Sequence, residues 1–270
     1  MPFRRNLTDF SRMVSERTEL LQAGTAISLP WVNKITPDHL QRGVVELLRL
    51  KLEPICNIVA RRIESDTLLE GLVSRLVEAG VTRVLVVAGD PNPAVGRYDK
   101  CVEVLPILAG CGIKKVWFAG HPTGHLRFSG AEIIDHLEEK ICVAEECGVQ
   151  VERLVTQLVY SGSEARAVET YLQRLSCRGI EIPVWIGVPG PATFAGLLDF
   201  ARRCALTSRL HYLLSHPTMA LLPLAGWHPE RFLTKIGAMP SCPSGLHLMD
   251  AGRDLEALLK WRAKALAALR

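Results

Sequence analysis

The chain has 270 residues, of which 48% are apolar and 22% charged; 32 Lys and Arg face 28 Asp and Glu, for a net charge of +4. Such a composition buries a full-sized core and excludes a disordered or collagen-like chain. The small charge and scattered basic residues argue against nucleic acid as a partner, and no apolar run approaches the ~20 residues of a membrane span.

Strand and helix patterns alternate from residue 25 onward. Thr25–Val32 reads as a strand, Asp38–Leu50 as a helix, Glu53–Ala60 as a strand and Asp66–Ala79 as a helix. Thr82–Asp90 follows as a strand, Tyr98–Cys111 as a helix, Lys114–His121 as a strand and Ala131–Cys147 as a helix. Next come strand Glu152–Tyr160, helix Ser163–Cys177, strand Pro183–Pro189 and helix Ala192–Cys204. The beat then weakens: His211–Leu224 and Pro229–Gly237 read as helices, Gly245–Met249 as a last strand and Leu255–Leu269 as a last helix. The run Val84-Leu85-Val86-Val87-Ala88 is continuously apolar, as in a parallel strand covered by helices on both faces. Repeated βα units of this kind leave a closed barrel or an open doubly wound sheet. The length suits a TIM-type (β/α)8 barrel, which takes roughly 250 residues.

No Gly-, Ser- or Pro-rich linker divides the chain, so 1–270 reads as one βα-barrel domain with an atypical N-terminal segment, 1–24. That segment carries a helix pattern over Thr8–Gln22, closed by Gly24, with no obvious strand pattern before it, so the barrel's first strand is expected to be uncertain or degenerate. The opening residues lack the apolar core of a signal peptide, and the eight cysteines include no CxxC pair. Both features predict reduced, mostly buried thiols in a cytoplasmic protein.

Polar residues gather where the strands end, the edge at which βα barrels carry their chemistry. Asn57 lies in the strand 53–60, Gly89-Asp90-Pro91 ends the strand 82–90, Gly120-His121-Pro122 ends the strand 114–121 with His125 just beyond, and Thr156-Gln157 lies in the strand 152–160. Asp90 reads equally well as the N-cap of a following helix. His121 and His125 have the spacing of a zinc pair, but Pro122 and Gly124 make the segment a loop and no third ligand is evident; a metal is not expected. Gln157, in an apolar strand, needs hydrogen-bond partners, from backbone or ligand. No dinucleotide fingerprint, P-loop or nucleophile elbow competes.

Taken in order, Glu53-Pro-Ile-Cys-Asn-Ile-Val-Ala-Arg-Arg-Ile63, Val86-Val-Ala-Gly-Asp-Pro91, Phe118-Ala-Gly-His-Pro-Thr-Gly-His125, Leu154-Val-Thr-Gln157 and Pro183-Val-Trp-Ile-Gly-Val-Pro-Gly-Pro-Ala192 resemble the methylenetetrahydrofolate reductase family, in a bacterial branch apart from the housekeeping enzyme. Ser244-Gly-Leu-His-Leu-Met249 resembles the family's last strand, and the match spans about residues 25–265. The resemblance implies a flavin-bearing βα barrel that passes a hydride from NAD(P)H through FAD to 5,10-methylenetetrahydrofolate, giving 5-methyltetrahydrofolate. It places Asp90 at the flavin and the folate, Asn57, Tyr98, His121, His125 and Lys140 at the cofactor, and Gln157 at the folate.

The chain departs from the family pattern at several positions. The first-strand Glu that acts as general acid has no counterpart: Phe3–Thr8 carries no acid, and Asn6 stands about where the Glu belongs. The family's His in the strand 53–60 is Asn57, the Arg before Gly-Asp is Ala88, and His-Pro-Glu is His121-Pro122-Thr123. A positioned general acid contributes about 10²–10⁴-fold. Three readings follow: a divergent reductase that uses Asp90 or His121 as its acid, or runs from methyl- to methylenetetrahydrofolate; a homologue that binds folate or another ligand with little redox activity; or a methyltetrahydrofolate-dependent methyltransferase. Assembly into a homo-oligomer or with a partner subunit is expected of such a barrel.

Overall fold

The computed structural model describes residues 10, 12, 14, 16, 21–32, 35–89, 93–125, 128–159, 162–203, 230–239, 243–251 and 254–267. The expected first-strand stretch Phe3–Thr8, Asp90 and the expected helix His211–Leu224 lie outside them. Residues 10, 12, 14 and 16 are helical, as the pattern over Thr8–Gln22 predicts, and Gly24 follows with φ +78°, a conformation that suits glycine at a helix end.

The chain forms two compact units. The first comprises Met1–Ala119 and Leu137–Glu152, the second Gly120–His136 and Arg153–Arg270. In the first unit β1 (Ala26–Leu29), β2 (Glu53–Val59), β3 (Arg83–Val87) and β4 (Lys115–Gly120) pair in sequence order, all parallel. Their cores are β-branched and apolar, and Ile55, Cys56, Ile58, Val84, Val86, Val116 and Phe118 are all essentially inaccessible. Between the strands run α1 (Pro37–Arg49), α2 (Asp66–Glu78) and α3 (Leu105–Gly110). Helix α1 begins with Pro37 in its first turn, where the missing N–H costs nothing, and the Thr36 amide donates to Nδ1 of His39 (3.1 Å). Helix α2 is capped by Ser65, whose Oγ accepts from the Leu68 amide (3.2 Å). Each buries one stripe: Leu40, Val44 and Leu47 on α1, and Leu69, Leu72, Val73 and Leu76 on α2.

Helix α4 (Gly130–Glu146) leads into β5 (Gln150–Leu158), whose first residues join the first unit: the Gln150 amide donates to the Lys114 carbonyl (2.9 Å). In the second unit β5 pairs with β6 (Val184–Pro189), and β6 with β7 (Gly245–Met249), again parallel and in sequence order. Helices α5 (Gly162–Cys177), α6 (Phe194–Arg203), α7 (Glu230–Gly237) and α8 (Leu255–Ala267) complete the described elements. Among the described residues, seven parallel strands in sequence order, alternating with helices, make this the TIM-type α/β fold expected from the repeated βα units and the length.

One element differs from expectation. The helix read over Tyr98–Cys111 begins only at Cys101, as a 3₁₀ turn to Val104 that continues into α3. Tyr98 and Asp99 are drawn out of it by contacts with the turn after β2, and Glu103 caps the delayed start, its Oε2 accepting from the Asp99 and Lys100 amides (2.6 and 2.8 Å).

Candidate functional site

The family-like motifs each fall at the C-terminal end of their own strand: Asn57 near the end of β2, Gly89 just beyond β3, Gly120-His121 at the end of β4, Gln157 near the end of β5, and Pro189-Gly190 at the end of β6. Within the first unit, Ser28 on β1 donates its hydroxyl to Asn57 Oδ1 (3.0 Å), which orients the amide and leaves Nδ2 without a bond to any described residue. Lys140 on α4 carries its ammonium 5.9 Å from the centre of the Phe118 ring and forms no ion pair among the described residues. Tyr98 is 1% exposed, and its hydroxyl donates to Asp66 Oδ1 (2.5 Å). Burial, then this bond, hold the phenol above its ordinary range.

In the second unit, His121 and His125 meet edge to face with ring centroids 5.2 Å apart. His125 stacks on Phe128 (4.8 Å), and Phe128 meets His136 of α4 edge-on (4.5 Å). A short antiparallel bridge between His125 and Phe128 closes this loop. Gly120 leads into it with little room to spare: a Cβ there would lie 3.2 Å from the hydroxyl of buried Tyr171, on α5. Among the described residues no group of His, Cys, Asp and Glu is arranged to hold a metal ion.

Gln157 owes its setting to an irregularity in β5. The register with β6 shifts between Val155 and Leu158. Buried Thr156 fills the shift, its hydroxyl donating to the Gln157 carbonyl (2.8 Å) and accepting from the Gly187 amide (2.9 Å). A Cβ on Gly187 would sit 2.5 Å from the Thr156 carbonyl oxygen, so the close approach demands glycine. Bulges of this kind re-aim a side chain beside a site. Gln157 is half-buried, and its side-chain amide bonds to no described residue.

Sequence reasoning gave no role to Arg61 or His247. Arg61 is a buried cation directly after an apolar strand, and the pair Arg61-Arg62 at that point was the available signal. His247 lies on β7 with Nδ1 buried; burial pushes its imidazole down to about 4, so it is neutral at physiological pH.

No family model matches the chain. Solved structures similar in fold include two from bacteria. One is an uncharacterized protein from Clostridium thermocellum that binds two copies of 5-methyl-5,6,7,8-tetrahydrofolic acid; it is 15% identical, with 95% of this chain and 87% of that one covered, at a TM-score of 0.56. The other is the dihydropteroate synthase of Yersinia pestis, 12% identical, with 96% and 88% covered, at a TM-score of 0.50. At such identities the likeness is one of fold. No described helix is long and apolar enough to cross a membrane.

Proposed function

We propose that this protein binds a reduced folate at the C-terminal ends of its strands. The observation that carries this is Gln157, whose side-chain amide stands late in β5 beside a register shift and bonds to no other described residue. A pterin has a donor–acceptor edge that such an amide can read in both directions. The folate bound by the Clostridium thermocellum protein of like fold supports the same ligand class.

Within that reading, the reaction we propose is of the methylenetetrahydrofolate reductase type, interconverting the 5,10-methylene and 5-methyl folates with NAD(P)H as hydride partner. FAD, when bound, would relay the hydride. The residues fit such a cofactor in part. Asn57 Nδ2 and the Lys140 ammonium are donors with no described hydrogen-bond or carboxylate partner, and the His121–His125 loop presents flat rings. Tyr98 would have to break its bond to Asp66 to offer its hydroxyl. His121 and Asp90 remain the acids proposed in place of the family's Glu. A folate-binding protein with little redox activity is the second reading, favoured by the absence of any acid in Phe3–Thr8.

Titration calorimetry with 5-methyltetrahydrofolate tests the binding claim. Gln157→Ala is expected to weaken binding by roughly tenfold, the worth of one or two hydrogen bonds to a buried ligand; unchanged affinity would remove Gln157 from the site. Flavin absorbance near 450 nm (roughly; general to flavins) in the purified protein separates the two readings. A colourless protein that binds folate but takes up no FAD sinks the flavin route and leaves the binding reading.

A further inference from the structure

We propose that Arg61 is a positioning residue, which fastens Ala88, just beyond β3, and the stretch Val95–Asp99 to the end of β2, and so presets the C-terminal ends of β2 and β3 for the proposed folate. The inference rests on that reading for its ligand, but its geometry lies wholly within the first unit.

Arg61 follows β2 directly and is 6% exposed. Its backbone amide donates to the Ala88 carbonyl (2.9 Å), just beyond β3, and its carbonyl accepts from the Val95 amide (2.9 Å). One residue thus grips both described flanks of the connection in which Asp90 stands in the sequence. Its guanidinium closes the far flank: Nε donates to the Asp99 carbonyl (3.0 Å), and Nη2 pairs with Asp99 Oδ1 (2.7 Å). A planar fork that binds a carbonyl and a carboxylate at once is a task for arginine; lysine has a single ammonium to place.

The stretch Val95–Asp99 is tied down at every residue. Gly96 lies flat on the turn after β2, where a Cβ would collide with the Ile63 carbonyl and sit 2.7 Å from that of Glu64. Arg97 pairs with Asp66 through both carboxylate oxygens (2.8 and 2.6 Å), and Tyr98 donates to the same carboxylate. The tyrosine given a cofactor role by resemblance is here part of the strap. Among the described residues, Arg61 is its fastener with a buried charge. A buried charge is costly unless fully bonded, so the pairing with Asp99 is strongly specified.

The test uses full-length Arg61→Met, Arg61→Lys and Asp99→Ala, the last removing an exposed carboxylate so that the fold is kept. Hydrogen exchange is read amide by amide, and 5-methyltetrahydrofolate binding by calorimetry. In Arg61→Met and Asp99→Ala the amides of 94–99 should exchange about tenfold faster or more, while those of β6 and β7 stay unchanged, with Arg61→Lys in between. Folate affinity should fall in the same order. If exchange over 94–99 is unchanged in both Asp99→Ala and Arg61→Met, or rises equally throughout the protein, the positioning role is wrong. If wild type fails to bind the folate, the proposed function falls, and the exchange data alone decide the role of Arg61.

Discussion

Glu152, at the start of β5, offers a sharp test of how the first unit is held. Its Oε2 accepts from Trp117 Nε1 (2.8 Å) and lies 3.4 Å from Arg83 Nη1, while Oε1 takes Lys115 Nζ (2.9 Å). Arg83 has a second carboxylate in Glu53 (2.8 Å), and Lys115 is partly solvated. Removal of Glu152 therefore takes from the Trp117 N–H an acceptor at 2.8 Å, in a ring that is 3% exposed. Loss of a buried donor's hydrogen bond costs about 1–3 kcal/mol, and with part of the ion-pair energy lost Glu152→Leu should destabilise by about 2–4 kcal/mol. Glu152→Gln retains one acceptor but turns an NH2 toward a donor, for a loss of about 1–2 kcal/mol.

The pH dependence gives a second reading of the same group. Burial pushes the Glu152 carboxyl up, but the hydrogen bonds from Trp117 and Lys115 and the charges of Arg83 and Lys115 outweigh it, and the net direction is below the ordinary value. A carboxylate with a depressed folded pKa contributes stability that is fully present above its unfolded value of about 4.5 and is lost as the pH falls through the folded value. Urea unfolding of wild type and Glu152→Gln should therefore show a constant gap down to about pH 5 that narrows at lower pH. A Glu152→Gln protein as stable as wild type at pH 7, or a gap that widens in acid, would refute the reasoning.

Two further outcomes follow from the same contacts. Tyr98→Phe should lower the thermal midpoint while leaving flavin affinity unchanged where flavin is taken up, because the hydroxyl is spent on Asp66; a stable variant with weakened flavin binding would restore Tyr98 to the cofactor. With a thiol reagent near neutral pH, exposed Cys177 and Cys142 should react before any buried thiol. Cys142 should lag, since the bond to Glu146 holds its thiol above the usual range, and Cys56, pushed up to about 12 by burial, should react only on unfolding; early labelling of Cys56 would overturn the packing of β2.

The strands were legible because their burial is written in composition: nothing but a parallel strand covered on both faces explains Val84-Leu85-Val86-Val87-Ala88. The start of the helix at Tyr98 was misread because its boundary is set by Arg61 and Asp66, more than 30 residues away in sequence. Periodicity carries no trace of such a contact. The glycines show the same limit. Gly96 stands in a loop and Gly187 within β6, yet each is held to glycine by backbone distant in sequence: the Ile63 and Glu64 carbonyls and the Thr156 carbonyl, respectively. In the candidate site the residue types were readable, whereas the bulge that sets Gln157 was not, because a register shift depends on two strands.

The motif residues divide by what their polar atoms do. Tyr98, Thr156 and Arg61 have theirs committed to the chain, and replacing them changes how β2, β3 and β5 are joined to their surroundings whether or not a ligand exists. Asn57 Nδ2, the Lys140 ammonium and the Gln157 amide have no hydrogen bond or ion pair to another described residue, and each stands on an element packed against apolar neighbours. Folding alone gains nothing from an amide late in an apolar strand, where a leucine would bury more surface and require no partner. A pattern match weighs both classes alike, and so it cannot separate a chain that has kept the scaffold from one that has kept the ligand. Replacement of the second class tests that separation. On the proposed function their atoms await a donor–acceptor edge or an anion from outside, so Asn57 and Lys140 in the first unit and Gln157 in the second are the positions at which the binding proposal stands or falls.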